Sequence, residues 1–130
     1  MDDPKWGDGC REIWFLNREL LILRPRQPFI DWVRKCEPEG YLSDNEVRDA
    51  PSAFLIPEFE LTWESLTWVR VNCRMLFELH LDEWYSDSSM WPARRDWKTF
   101  KEWCEVEYVD LAWDLVDAPL SSDPPIAERG

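Results

Sequence analysis

The chain has 130 residues, enough for one ordinary domain with its own core and too few for two. Fifteen lysines and arginines stand against 27 aspartates and glutamates, a net charge of −12 that argues against binding nucleic-acid phosphates or anionic lipid surfaces. Ten tryptophans and 45% hydrophobic residues argue against a disordered chain, which is poor in aromatics.

Four cysteines, Cys10, Cys36, Cys73 and Cys104, form no Cys-x-x-Cys pair, and His80 is the only histidine. A zinc or iron centre needs a denser set of ligands, so no metal and no other cofactor is expected. The acidic start Met1-Asp2-Asp3-Pro4 lacks the apolar run of a secretory signal, and no stretch has the length of a membrane span. A cytoplasmic protein with reduced thiols is the reading that follows.

Residues 1–11 are polar and rich in Gly and Asp, and are read as a flexible N-terminus. The run Glu19-Leu20-Leu21-Ile22-Leu23-Arg24, stopped by Pro25, predicts a buried strand that starts at Glu19 or nearer Ile13. Pro28 suits a first helical turn, where its missing N–H would be unpaired anyway. Phe29, Trp32, Val33 and Cys36 then fall at i, i+3, i+4 and i+7, so they share one helical face. Ser43 and Glu46 have capping-box spacing and open a short helix to about Asp49. Ala53-Phe54-Leu55-Ile56, ending at Pro57, predicts a second strand, at a sheet edge.

Thr62 is placed as the cap of the longest helix, about Trp63 to Trp84. Its wheel puts Leu66, Val69, Cys73, Leu76, Phe77, His80 and Trp84 on one face, widened by Trp68, Met75 and Leu79. A helix so apolar is expected to be central. Asp96 caps a short helix carrying Trp97, Phe100 and Trp103. Residues 104–117 fit either a continuation of that helix or a strand from about Glu105. β-branched and aromatic enrichment favours the strand. Residues 118–130, with Pro119, Pro124 and Pro125, read as a disordered tail, which leaves 12–117 as a single globular domain. Helices and strands without regular βαβ alternation predict an α+β fold. A small antiparallel sheet of about three strands packs on one long central helix and two or three short ones.

Leu20-Leu21-Ile22-Leu23-Arg24-Pro25, Gln27-Pro28-Phe29-Ile30-Asp31-Trp32, Glu83-Trp84-Tyr85-Ser86-Asp87, Trp91-Pro92 and Phe100-Lys101-Glu102-Trp103 carry a resemblance. Over about residues 16–115 the chain resembles a group of small acidic bacterial proteins of unassigned function. The resemblance implies one compact domain in a bacterial cytoplasm and transfers no catalytic residue.

Five sets of residues are candidates for chemistry. Arg24 and Arg26 precede a helix start, as do Arg94 and Arg95, and helix N-termini favour anions. The ordinary explanation is pairing with some of the 27 acids, since no glycine-rich phosphate loop accompanies them. His80 suits acid–base chemistry, but on an apolar face it reads first as a buried neutral imidazole. Glu102, Glu105, Glu107, Asp110, Asp114 and Asp117 form an acidic run, more simply a solvated face than an ion site. Cys73 and Cys104 sit among apolar residues, where a thiol is a poor nucleophile.

Trp84, Tyr85, Trp91 and Trp97 surround one loop, and form either an exposed aromatic patch or the end of the core. Pro92 holds Trp91 extended, and Arg94 or Arg95 can stack on its ring. Trp91 is therefore expected to be partly exposed and, with one of these arginines, to form part of a binding surface.

The function expected is a non-enzymatic interaction or regulatory protein with a basic protein partner. One alternative is a small hydrolase or phosphate-handling enzyme built on arginines and carboxylates. The other is an acidic DNA mimic that inhibits a nucleic-acid-binding protein.

Overall fold

The computed structural model describes residues 14–116 and 118–120, with the side chains of Trp14 and Phe15 outside that description. The expected flexible stretch 1–11 and residues 121–130 of the expected tail lie outside the described residues. Residues 118–120 are exposed and in neither helix nor strand.

The apolar run after Asn17 becomes the middle strand of an antiparallel sheet. β2 (Arg18–Pro25) lies between β3 (Ser52–Pro57) and β4 (Cys104–Val109), in the order β3-β2-β4. Leu21 pairs with Phe54 on one side and Tyr108 on the other, and Leu23 with Ser52 and Val106. The period of two buries Glu19, Leu21, Leu23 and Pro25 on one face. Among the described residues, five helices share the core with that face.

α1 (Gln27–Cys36) begins with Pro28 in its first turn and buries Phe29, Ile30, Trp32 and Val33, with Cys36 half-buried. The expected stripe is present, extended by Ile30. α2 (Asp44–Arg48) carries the capping box in full. Glu46 N–H donates to Ser43 Oγ over 3.1 Å, and Ser43 N–H to Glu46 Oε1 over 3.1 Å. Such a cap stabilises a helix by about 1 kcal/mol, a large share of what a five-residue helix has.

The long helix expected over Trp63–Trp84 is two helices, α3 (Thr62–Val71) and α4 (Cys73–Asp82), parted at Asn72. Asn72 turns its side-chain amide back to the Trp68 carbonyl at 2.9 Å, which also accepts the Asn72 backbone N–H at 3.0 Å. The buried stripe shifts there. α4 buries Cys73, Leu76, Phe77, His80 and Leu81, whereas α3 buries only Ser65 and Val69. One wheel carried across Asn72 put Leu66 and Met75 on or beside the core face, yet they are 51% and 48% exposed. Only α4 is central. The cap is one residue earlier than expected: Leu61 N–H donates to Glu64 Oε1 over 3.0 Å, and Thr62 is already helical.

α5 (Trp97–Trp103) opens on Asp96, whose Oδ1 accepts the Thr99 N–H at 2.9 Å. It hands over to β4 with no intervening residue, and the Trp103 carbonyl accepts the Arg26 N–H at 2.8 Å. Of the segment 104–117, open to two readings, Cys104–Val109 is thus a strand and does not continue the helix. Leu21, Leu23, Ile56 and Cys104 from the sheet meet Phe29, Ile30 and Val33 of α1, Val47 of α2, Leu76, Phe77 and Leu81 of α4, and Phe100 of α5. The fold is α+β, with the three-stranded antiparallel sheet expected.

Residues 17–112 form one compact unit. A second unit holds the terminal segments, where β1 (Trp14–Phe15) pairs antiparallel with β5 (Trp113–Asp114). Among the described residues, no helix is long and apolar enough to cross a membrane.

Candidate functional site

Ten tryptophans are more than a core of this size takes in whole, and three of them wall an open cleft. Pro28 and Trp32 come from α1, Met90, Trp91 and Pro92 from the loop after α4, and Trp103 from the end of α5. The cleft has a volume of about 620 Å³, with Asp31 and Lys35 among its lining residues. That is within the range of ligand-binding cavities, which are mostly apolar with a few fixed polar groups.

The rings are held from behind. Trp32 lies edge-on to Phe29 at 5.2 Å and to Tyr85 at 5.3 Å between centroids, and 6.2 Å from Trp103. Its indole N–H donates to the Met90 carbonyl over 2.8 Å, tying α1 to the loop. Asp87 shapes that loop by accepting from the Ser89 N–H at 3.0 Å, which starts the 3₁₀ turn Ser88–Met90. Trp91 is extended, at φ −78° and ψ 155°, as Pro92 requires. Its indole N–H donates to the Tyr85 carbonyl over 2.7 Å, so the loop is closed at both ends. Burial pushes the Tyr85 hydroxyl pKa above its ordinary value, and nearby Glu37 adds to that.

The sequence-derived candidates separate. Trp91 is half-buried, and Arg95 stacks on it with the guanidinium carbon 5.7 Å from the ring centroid. Arg95 also donates to Glu78 Oε2 at 2.8 Å and to the Pro92 carbonyl at 2.7 Å. It acts as a buttress. Arg94 points away, exposed, with its nearest carboxylate Asp96 at 3.9 Å. Arg24 lies on the sheet, 3.4 Å from Glu107 of the neighbouring strand. Arg26 lines a separate cavity with Lys101 and Cys104. The four arginines form no common anion site, and three of them have acidic partners, as the ordinary explanation had it.

Trp32, Trp103 and Met90 were not singled out as site residues. Trp32 and Trp103 read as parts of apolar helical stripes, and 71 positions in sequence part them. The available signal was proline beside tryptophan, in Pro28 to Trp32 and in Trp91-Pro92.

His80 is fully buried. Ser52 Oγ is hydrogen-bonded to both His80 Nδ1 and Glu83 Oε2, and Nδ1 lies 3.9 Å from that carboxylate oxygen. Ser52 has one proton. Giving it to Glu83 makes Nδ1–H the donor to Ser52 and leaves Nε2 an acceptor, and Nε2 is buried without a partner. His80 and then Ser52 hold the Glu83 carboxyl below its ordinary range. A hydrolytic triad uses both ring nitrogens, one for nucleophile and one for acid. Here both partners crowd one nitrogen, and Ser52 is buried out of a substrate's reach.

Burial raises the thiol pKa of Cys36 and Cys73, and pushes that of Cys104 up to about 12. Glu105 and Glu107 share one exposed sheet face. Among the described residues no three His, Cys, Asp or Glu side chains converge on a metal position. Compared with known proteins, the chain matches no family model, no curated protein and no solved structure.

Proposed function

We propose that this chain is a non-enzymatic interaction protein of the cytoplasm, and that its aromatic cleft seats a segment of a basic protein partner. The observation that carries the reading is the cleft itself: three tryptophans and two prolines facing an open volume of about 620 Å³. Tryptophan is over-represented among the residues that dominate binding energy, because a large rigid ring buries much area at little entropic cost. The rings are pinned by hydrogen bonds and by Arg95, so little ordering is left to be done on binding. The net charge of −12 supports a basic partner, which it would attract from a distance.

Quantitative affinity capture with wild type and Trp91→Ala tests this. Proteins retained by wild type in stoichiometric amount should fall at least about tenfold with the variant, a loss of roughly 1.4 kcal/mol. Circular dichroism of the variant must show an intact fold. A retained set indifferent to Trp91 and to Trp103→Ala overturns the proposal.

A further inference from the structure

We propose that the segment seated in the cleft is a proline-rich peptide in the polyproline II conformation, with an arginine or lysine that reaches an acidic hollow beside it. The inference rests on the reading of the cleft as a docking site.

Two cavities adjoin at Cys36. One is the tryptophan cleft. The other, about 580 Å³, is lined by Glu37, Pro38, Glu39, Gly40 and Tyr41 as well as Cys36. Tyr41 is 99% exposed, so its ring stands free at the rim. Asp31, Glu37 and Glu39 are the carboxylates lining the two hollows, and Lys35 is the one cation. The second hollow lies where α1 ends, and a helix C-terminus adds partial negative charge. An apolar occupant of the cleft that carries a positive charge on one side meets charge complementarity at Glu37 and Glu39.

The walls also decide the occupant's backbone. Pro28 and Pro92 have no N–H to give. The Met90 and Trp91 N–H groups are spent on the Asp87 and Ser88 carbonyls at 3.0 and 3.2 Å. The indole N–H groups of Trp32 and Trp91 are spent on Met90 and Tyr85. With those donors spent, and with the Met90 and Pro92 carbonyls already accepting from Trp32 and Arg95, a β-strand laid here would find no ladder to join, and its own N–H groups would lose water without a regular row of acceptors. A proline-rich segment has few such groups, keeps its backbone hydrated, and is already extended before it binds. Proline rings pack on aromatic side chains, and the half-buried Trp91 and Trp103 offer theirs at the cleft, beside the buried Trp32. The indole N–H of Trp103 makes no hydrogen bond among the described residues, and it suits a peptide carbonyl, which the occupant has in abundance.

The experiment is calorimetric titration with short synthetic peptides: one with a Pro-x-x-Pro core and adjoining arginines, one with its prolines replaced by alanine, and one with its arginines replaced by glutamate. The first should bind saturably, and each replacement should weaken it at least about tenfold. The protein double variant Glu37→Gln, Glu39→Gln should weaken the first peptide to a similar degree. Both positions are exposed, so this variant keeps its fold, and Trp91→Phe tests the cleft without emptying it. If the alanine peptide binds as tightly and still depends on Trp91, the polyproline inference is overturned and the docking reading stands. If the proline-rich peptide binds without regard to its arginines or to Glu37 and Glu39, the acidic hollow is overturned as its partner. If no peptide binds, the inference falls, and the capture experiment with Trp91→Ala decides the docking reading separately.

Discussion

Arg95 lies over the Trp91 ring, its guanidinium carbon 5.7 Å from the ring centroid. The same guanidinium reaches Glu78 of α4 and the Pro92 carbonyl, so one side chain fixes a ring, a loop and a helix. Its planar fork makes both hydrogen bonds at once, which an ammonium on a flexible stem does poorly. Arg95→Ala should cost about 1–2 kcal/mol, because Glu78 keeps Arg74 at 3.1 Å while the Pro92 carbonyl loses its donor. Arg95→Lys should recover less than half of that. Urea midpoints of the three proteins check it, and full rescue by lysine would mean that charge alone matters.

Trp91 is half-buried, packed against the core while it lines the cleft. Trp91→Ala should therefore fall between a surface change and a buried one, at about 2 kcal/mol, since a half-buried ring and one indole hydrogen bond are lost. For a domain of this size the melting temperature should drop by roughly 10 °C. A loss within about 0.5 kcal/mol would show that the loop closes without the ring.

Glu83 gives a pH signature. Its folded-state pKa is depressed by His80 and Ser52, so its contribution is complete above the unfolded carboxyl value and lost as pH falls through the folded one. Wild type should exceed Glu83→Gln in melting temperature near neutrality, and the gap should close on acidification below about pH 4. The carboxylate is half-exposed, so water screens it and the gap should be small. A gap that is constant from neutral to acid pH would remove the carboxylate from the account.

Thiol labelling separates the cysteines by depth. At neutral pH Cys104, with its pKa at about 12, and the buried Cys73 should resist alkylation in the folded protein. Cys36, half-buried where the two hollows meet, should react first of the three, though more slowly than a free thiol. Mass spectrometry of limited digests reads the order. Labelling of Cys104 ahead of Cys36 would contradict the packing of β4.

Local patterns made much of the fold legible. Pro28 with the i, i+3, i+4, i+7 stripe placed α1, Ser43 and Glu46 placed α2, and the apolar runs ending at Pro25 and Pro57 placed two strands. The break at Asn72 was hidden, because asparagine is merely a mediocre helix former and nothing in the apolar pattern marks the turn of its side chain back to Trp68. The site was half legible. Trp91 with an arginine was readable because Pro92 and Arg95 are its near neighbours. Trp32 and Trp103 join it only through folding, and each reads along its own helix as plain core. Arg24, Arg26 and Arg94 were drawn in by charge and by their place just before a helix start, and the fold keeps them out of the cleft.

The missing loop between α5 and β4 bears on how this chain tolerates changes of length. Trp103 is the last helical residue and Cys104 the first of the strand, so the cleft and the sheet share a peptide bond. A single residue inserted there would have nowhere to bulge. It would turn Cys104, Val106 and Tyr108 to the other face of the sheet or swing the Trp103 ring out of the cleft. Insertions in the segment 37–42, which is not in helix or strand, meet no such bind. Loop variation can therefore reshape the acidic hollow freely, while the tryptophan wall beside it is fixed to the register of the sheet.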